Sequence, residues 1–177
     1  DGTKMFISYA MPNNGYGNPH YIQEFNLSTP YDISTRVYAG DGERCELTGT
    51  HTGKGYQIYD LDFSSDGMKF FIVSRHSGGP GRLPLGDRVY GFDLTSPYDV
   101  STCALATKQE ALDTTALTTG SNAGDFDHTT LNDKHRVQAL EINDDGTKLF
   151  LTFMDDQNAD VGARLYEYNL STPYDVS

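Results

Sequence analysis

Five histidines and a scatter of aspartates are the side chains of this 177-residue chain whose types suit chemistry. Imidazole beside carboxylate can hold a transition metal or pass a proton. His51, His135 and Asp127 are the set best suited to that, with His20, His76 and His128 in or beside the same loops and Arg75 next to His76. None of these has the tight ligand spacing of a helical zinc site, so they are read as ligand-contacting residues and no catalytic residue is assigned. Asp125, Asp127, Asp155 and Asp156, with Asp160, offer hard oxygen donors that would suit Ca2+, but without the spacing of an EF-hand loop or a nonapeptide calcium repeat. Tyr16, Tyr21, Arg75, Arg82 and Arg88 could form an aromatic and cationic patch for sugars or anionic groups, although the absence of Trp weakens a lectin reading. Gly78-Gly79-Pro80-Gly81 is no phosphate loop, since no Lys-Ser/Thr follows, and there is no G-x-S-x-G elbow.

Composition narrows the partners. With 13 basic against 25 acidic residues the formal net charge is −12. Such a surface repels phosphate backbones and anionic headgroups, which argues against nucleic acid, and membrane insertion is not expected because no apolar run approaches the ~18 residues needed to span a membrane. Cys45 and Cys103 allow one disulfide at most, and their non-equivalent places in the repeat described next argue against a bond.

What must position these residues is a repeat. Leu27-Ser28-Thr29-Pro30-Tyr31-Asp32-Ile33-Ser34 returns as Leu94-Thr95-Ser96-Pro97-Tyr98-Asp99-Val100-Ser101 and again as Leu170-Ser171-Thr172-Pro173-Tyr174-Asp175-Val176-Ser177. A second motif keeps pace: Asp1-Gly2-Thr3-Lys4-Met5-Phe6, Asp66-Gly67-Met68-Lys69-Phe70-Phe71 and Asp145-Gly146-Thr147-Lys148-Leu149-Phe150. Asp-Gly between apolar runs is a hairpin signal, because Gly2, Gly67 and Gly146 can take positive φ without steric cost. In the other motif, Pro30, Pro97 and Pro173 preset φ, Asp32, Asp99 and Asp175 can bond the backbone two residues on, and Tyr31, Tyr98 and Tyr174 can cover the corner. Both motifs are therefore assigned structural roles.

Around the turns, 58–63 and 137–142 alternate, whereas 70–73 is continuously apolar and should be buried on both faces. A third strand covers 21–27, 88–94 and 164–170, with Phe25, Phe92 and Tyr168 sharing a face with Leu27, Leu94 and Leu170, and Glu24, Gly91 and Glu167 on the other. A fourth should follow at 35–38 and 103–109. Four antiparallel strands joined by direct hairpins describe a propeller blade.

The run Phe63-Ser64-Ser65-Asp66-Gly67-Met68-Lys69-Phe70-Phe71-Ile72 resembles the hairpin of bacterial YVTN, TolB-like and lactonase-like β-propellers. The Leu-Ser-Thr-Pro-Tyr-Asp-Val-Ser half resembles repeats of propeller proteins from marine bacteria and their phages. The resemblance spans the whole chain and implies an all-β propeller, but carries over no catalytic residue. With strands lettered a to d from the axis outward, the chain reads b-c-d, a-b-c-d, a-b-c as one segment, 1–177, with repeats near 1–62, 63–141 and 142–177, about two and a half blades. That is read as a piece of a longer propeller in preference to a chain completed by further copies. The variable b–c loops (11–20, 77–87, 155–162) and d–a connections (40–55, 110–134) fall on one face, which is the expected interaction surface. The expected function is a non-catalytic binding or structural module, extracellular, at a cell surface or on a virion, facing a protein or glycan partner or further blades. The alternatives are a lactonase- or glycosidase-like hydrolase, which requires His beside two carboxylates, and a lectin-like propeller.

Overall fold

The computed structural model describes residues 1–9, 20–47, 56–76, 88–105, 111–113, 135–155 and 164–176. Twelve strands run through them: β1 (Lys4–Tyr9), β2 (His20–Leu27), β3 (Arg36–Tyr38), β4 (Arg44–Leu47), β5 (Tyr56–Phe63), β6 (Lys69–His76), β7 (Arg88–Asp93), β8 (Ala104–Leu105), β9 (Ala111–Asp113), β10 (His135–Ile142), β11 (Lys148–Asp155) and β12 (Arg164–Asn169). They form three antiparallel sheets and, among the described residues, no α-helix. The first sheet is β1-β2 with β3 and β4 both on β2, the middle one β5-β6-β7 with β8 and β9 both on β7, and the last β10-β11-β12.

The outermost strand differs from the expected single run. It comes in two pieces, so 44–47 and 111–113, expected within the d–a connections, are strands paired to β2 and β7. In the first sheet the reason is visible at Gln23, a buried amide that donates to the carbonyls of Glu24, Gly40 and Glu43. Those bonds satisfy the carbonyls of the break at 39–43, where Gly40 has φ 127°, and let the chain rejoin the same partner strand.

Two cores separate the three sheets. Ile22, Cys45 and Leu47 of the first sheet meet Phe70, Ile72, Tyr90, Phe92 and Leu94 of the middle one. The opposite face of the middle sheet, with Phe71, Val73 and Val89, meets Val137, Leu140, Leu149, Leu151 and Phe153 of the last. Phe70, Phe71, Ile72 and Val73 are therefore all buried, as a continuously apolar strand between two neighbours should be. Burying a Phe or Ile side chain in this way contributes about 1.5–3 kcal/mol relative to exposure.

The middle and last sheets also meet at strands β5 and β10. Asp60 Oδ2 accepts the Leu140 N–H at 2.9 Å, and Asp62 Oδ2 accepts that of Ile142 at 2.8 Å. Successive bonds climb both strands together, so β5 and β10 run side by side in one direction. Asp is disfavoured inside strands, and here two of them cap edge amides that a sheet edge would leave unpaired. Burial and the neighbouring Glu141 and Asp60 push the Asp62 carboxyl upward, while the Ile142 and Phe63 amides pull it back.

Candidate functional site

At one end of the sheets the two recurring motifs dock into a single unit. The Tyr31, Tyr98 and Tyr174 amides donate to the carbonyls of Gly2, Gly67 and Gly146 at 2.8, 2.8 and 2.9 Å. Each ring lies on its glycine, so that a Cβ would fall 2.5, 2.3 or 2.4 Å from ring carbon. The glycines have φ 76°, 70° and 72° and the tyrosines themselves φ 62°, 54° and 59°. Non-glycine residues rarely adopt that region, and its threefold recurrence shows the strain is held by the docking. Asp32 and Asp99 Oδ1 each accept the N–H and hydroxyl of the serine two residues on, capping short 3-10 turns at Ile33–Thr35 and Val100–Thr102. In the hairpins Asp66 Oδ1 accepts the Met68 N–H and the Ser64 hydroxyl, Asp145 Oδ1 accepts the N–H and hydroxyl of Thr147, and those bonds keep both carboxyls below the usual range.

At the opposite end, β1, β4, β6, β9 and β11 finish and β2, β5, β7, β10 and β12 begin. The connections that join them (10–19, 48–55, 77–87, 114–134 and 156–163) lie outside the described residues. So do His51, Asp125, Asp127, His128 and Asp156. Arg75 and His76 close β6, and His135 stands in register with Asp155 across β10 and β11. The backbone thus brings these four to loop-side strand ends; their side chains lie outside the description. His20 is buried at the start of β2, opposite Leu47. Burial lowers its pKa, against a hydrogen bond to the Tyr9 backbone, so it is a neutral core imidazole at neutral pH.

A cluster that sequence reasoning missed lies between the first and middle sheets. Carboxylate oxygens of Glu24, Glu43 and Asp99 all fall within 4.8 Å of one another. Glu24 is 3% exposed on β2, while Glu43 and Asp99 are half-buried. Lys4 Nζ pairs with Glu24 Oε1 at 2.7 Å and donates to the Tyr98 carbonyl at 3.0 Å. Glu24 Oε2 is buried with no hydrogen-bond partner. Burial raises the Glu24 pKa most; Lys4 opposes this, and Glu43 and Asp99 add to it. Beside the cluster Cys45 and Cys103 form a disulfide between the sheets, Cα to Cα 5.8 Å.

That bond corrects the sequence expectation, and the reason is general. Stacked repeats meet through opposite faces, so residues that touch across an interface occupy non-equivalent repeat positions. Cys45 aligns with Leu112, since their partners Ile22 and Val89 correspond, and Cys103 aligns with Arg36. Non-equivalence therefore favours pairing between neighbours. The same logic hid Glu24. Its counterparts are Gly91, facing the last sheet, and Glu167, which pairs with Lys148 at the surface. No protein-family model, curated protein or solved structure matches the chain.

Proposed function

We propose that the chain forms neighbouring blades of a β-propeller that serves as a non-catalytic binding or structural module. Its interaction surface is the loop-side end of the sheets, suited to a protein or glycan, and its outer blade faces receive further copies of the repeat. The carrying observation is that both inter-sheet contacts use the same pair of faces. Ile22 and Val89, equivalent in the repeat, are both fully buried against the next sheet, while the third equivalent, Leu165, is 67% exposed. At the opposite flank Tyr31 is 80% exposed, whereas Tyr98 touches Phe63 and Lys4, and Tyr174 reaches Ser65 and Asp144 of its neighbour and its own hairpin. The exposed faces carry the groups that the covered ones use, so the surface that fits them is another repeat. Side-by-side inner strands with one direction are the arrangement expected around a propeller axis. The inter-sheet disulfide suits an oxidising compartment, and hence a secreted, cell-surface or virion protein.

The test separates assembly from recognition. Light scattering of the chain across concentrations should show association through the outer faces, lost in Leu165→Arg with far-ultraviolet circular dichroism retained. A panel of immobilised glycans should lose any binding when 77–87 is replaced by Asn-Gly. Turnover of lactones or aryl glycosides by the unmodified chain, abolished by a histidine substitution at the loop end, would overturn the non-catalytic reading.

A further inference from the structure

We infer that Glu24, Glu43 and Asp99 form a Ca2+ site that ties the first sheet to the middle one, away from the loop end and independent of the function proposed above. Three carboxylates and one ammonium leave the cluster with a formal charge of −2. One divalent cation neutralises it. Lys4 cannot serve every oxygen: it takes Glu24 Oε1 and the Tyr98 carbonyl, and Oε2 stays buried without a partner. Leaving a carboxylate oxygen of a residue only 3% exposed unsatisfied is costly unless something accepts its lone pairs. Asp99 commits Oδ1 to Ser101, which leaves Oδ2 for a ligand. The local fold holds the donors in place. Gln23 pins the Glu43 carbonyl at 2.9 Å, and the Glu43 amide is bonded to Gly40. The Cys45–Cys103 bond closes two residues beyond Glu43 and four beyond Asp99, so the two sheets cannot drift apart there.

Coordination chemistry favours calcium. Three carboxylates on separate segments make an irregular set of hard oxygen donors, which the flexible calcium shell of about six to eight oxygens accepts more readily than the near-ideal octahedron of magnesium. Glu43 and Asp99 are only half-buried, so water can complete the shell.

The chain would be titrated with Tb3+, excited through tyrosine (Tyr98 adjoins the site), followed by competition with Ca2+ and Mg2+ and by thermal unfolding in Ca2+ or EDTA. One saturable site is expected, displaced by Ca2+ far better than by Mg2+. Glu43→Gln and Glu24→Gln should each weaken it about 10-fold or more, with circular dichroism unchanged. At free Ca2+ about 100 times Kd, the folded-to-unfolded ratio should rise about 100-fold, and Glu24→Gln should cut that gain about 10-fold or more. A control carrying Asp125→Asn, Asp127→Asn, Asp155→Asn and Asp156→Asn should keep the site. No saturable emission and no Ca2+-dependent melting shift would overturn the inference, as would loss of the signal only in the control.

Discussion

Gly67→Ala tests whether the two recurring motifs act as one unit. Gly67 has φ 70°, and a Cβ there would sit 2.3 Å from Tyr98 Cε2. Holding Ala in the left-handed region costs about 1–2 kcal/mol. Displacing the ring costs more, because Tyr98 packs at a tilt against Phe63, with ring centres 5.4 Å apart, and its hydroxyl donates to the Ser65 carbonyl at 3.0 Å. Overpacking of that kind adds about 1–3 kcal/mol. The total of about 2–5 kcal/mol corresponds, at about 2–4 °C per kcal/mol for a chain of this size, to a melting point lower by 4 °C or more. The discriminating measurement is a double-mutant cycle by urea unfolding, with Tyr98→Ala as the second substitution. Without the ring only the φ cost remains, so Gly67→Ala should cost about 1–2 kcal/mol in that background and the coupling should be about 1–3 kcal/mol. Equal costs with and without the ring would refute the docking argument and leave two independent turns.

Four further outcomes are expected. Cys45→Ala with Cys103→Ala removes a cross-link over 58 residues, which the chain-entropy relation values at about 4 kcal/mol, so urea midpoints should fall and reduction of the parent chain should match them. Asp62→Ala leaves the Ile142 amide without its acceptor and should cost about 1–3 kcal/mol, whereas Asp62→Asn keeps an acceptor without the burial-penalised charge and should cost less; equal losses would contradict the capping role. Glu24 has a raised folded-state pKa, so its contribution is greatest below the ordinary value of 4.5 and is lost as pH rises through the folded value. In EDTA the stability difference between the parent and Glu24→Gln should therefore shift against the parent with rising pH, and a flat difference would count against the buried carboxyl. Asp66 and Asp145, whose pKa values are lowered, give the opposite sign: their support is present above the ordinary value and is lost as pH falls through the folded value, so Asp66→Asn should flatten the acid limb of the stability curve.

What was legible in the sequence follows from which interactions are local. The turns at Gly67 and Pro97 are built from residues within a few positions of each other, and the apolar run 70–73 carries its own burial pattern, so strands and hairpins could be read directly. The joining of the two motifs was less visible. Their co-recurrence was plain, yet only the bond from the Tyr98 amide to the Gly67 carbonyl shows that each turn is the other's support. The split at 39–43 in the first sheet was missed because its cause, the Gln23 amide, lies on a different strand from the break it satisfies.

The inter-sheet chemistry was misread for a deeper reason. Alignment of repeats groups residues that do the same thing in each sheet, but an interface joins one face of a sheet to the opposite face of the next. Glu24, Lys4 and Asp99, or Cys45 and Cys103, never fall in one column of such an alignment, so comparing columns separates the partners. The useful signal is the column that breaks its own pattern: Cys45 against Leu112 and Cys103 against Arg36, whereas Glu24 recurs as Glu167 and its column carries no such signal. Each break falls at the contact between the first and middle sheets, and none of these pairs recurs between the middle and last, where Asp60 and Asp62 reach across instead. The joint between the first and middle sheets therefore combines residues the repeats share, such as Lys4 and Glu24, with the two cysteines that they do not, and it is the cysteine pair that departs furthest from the repeat.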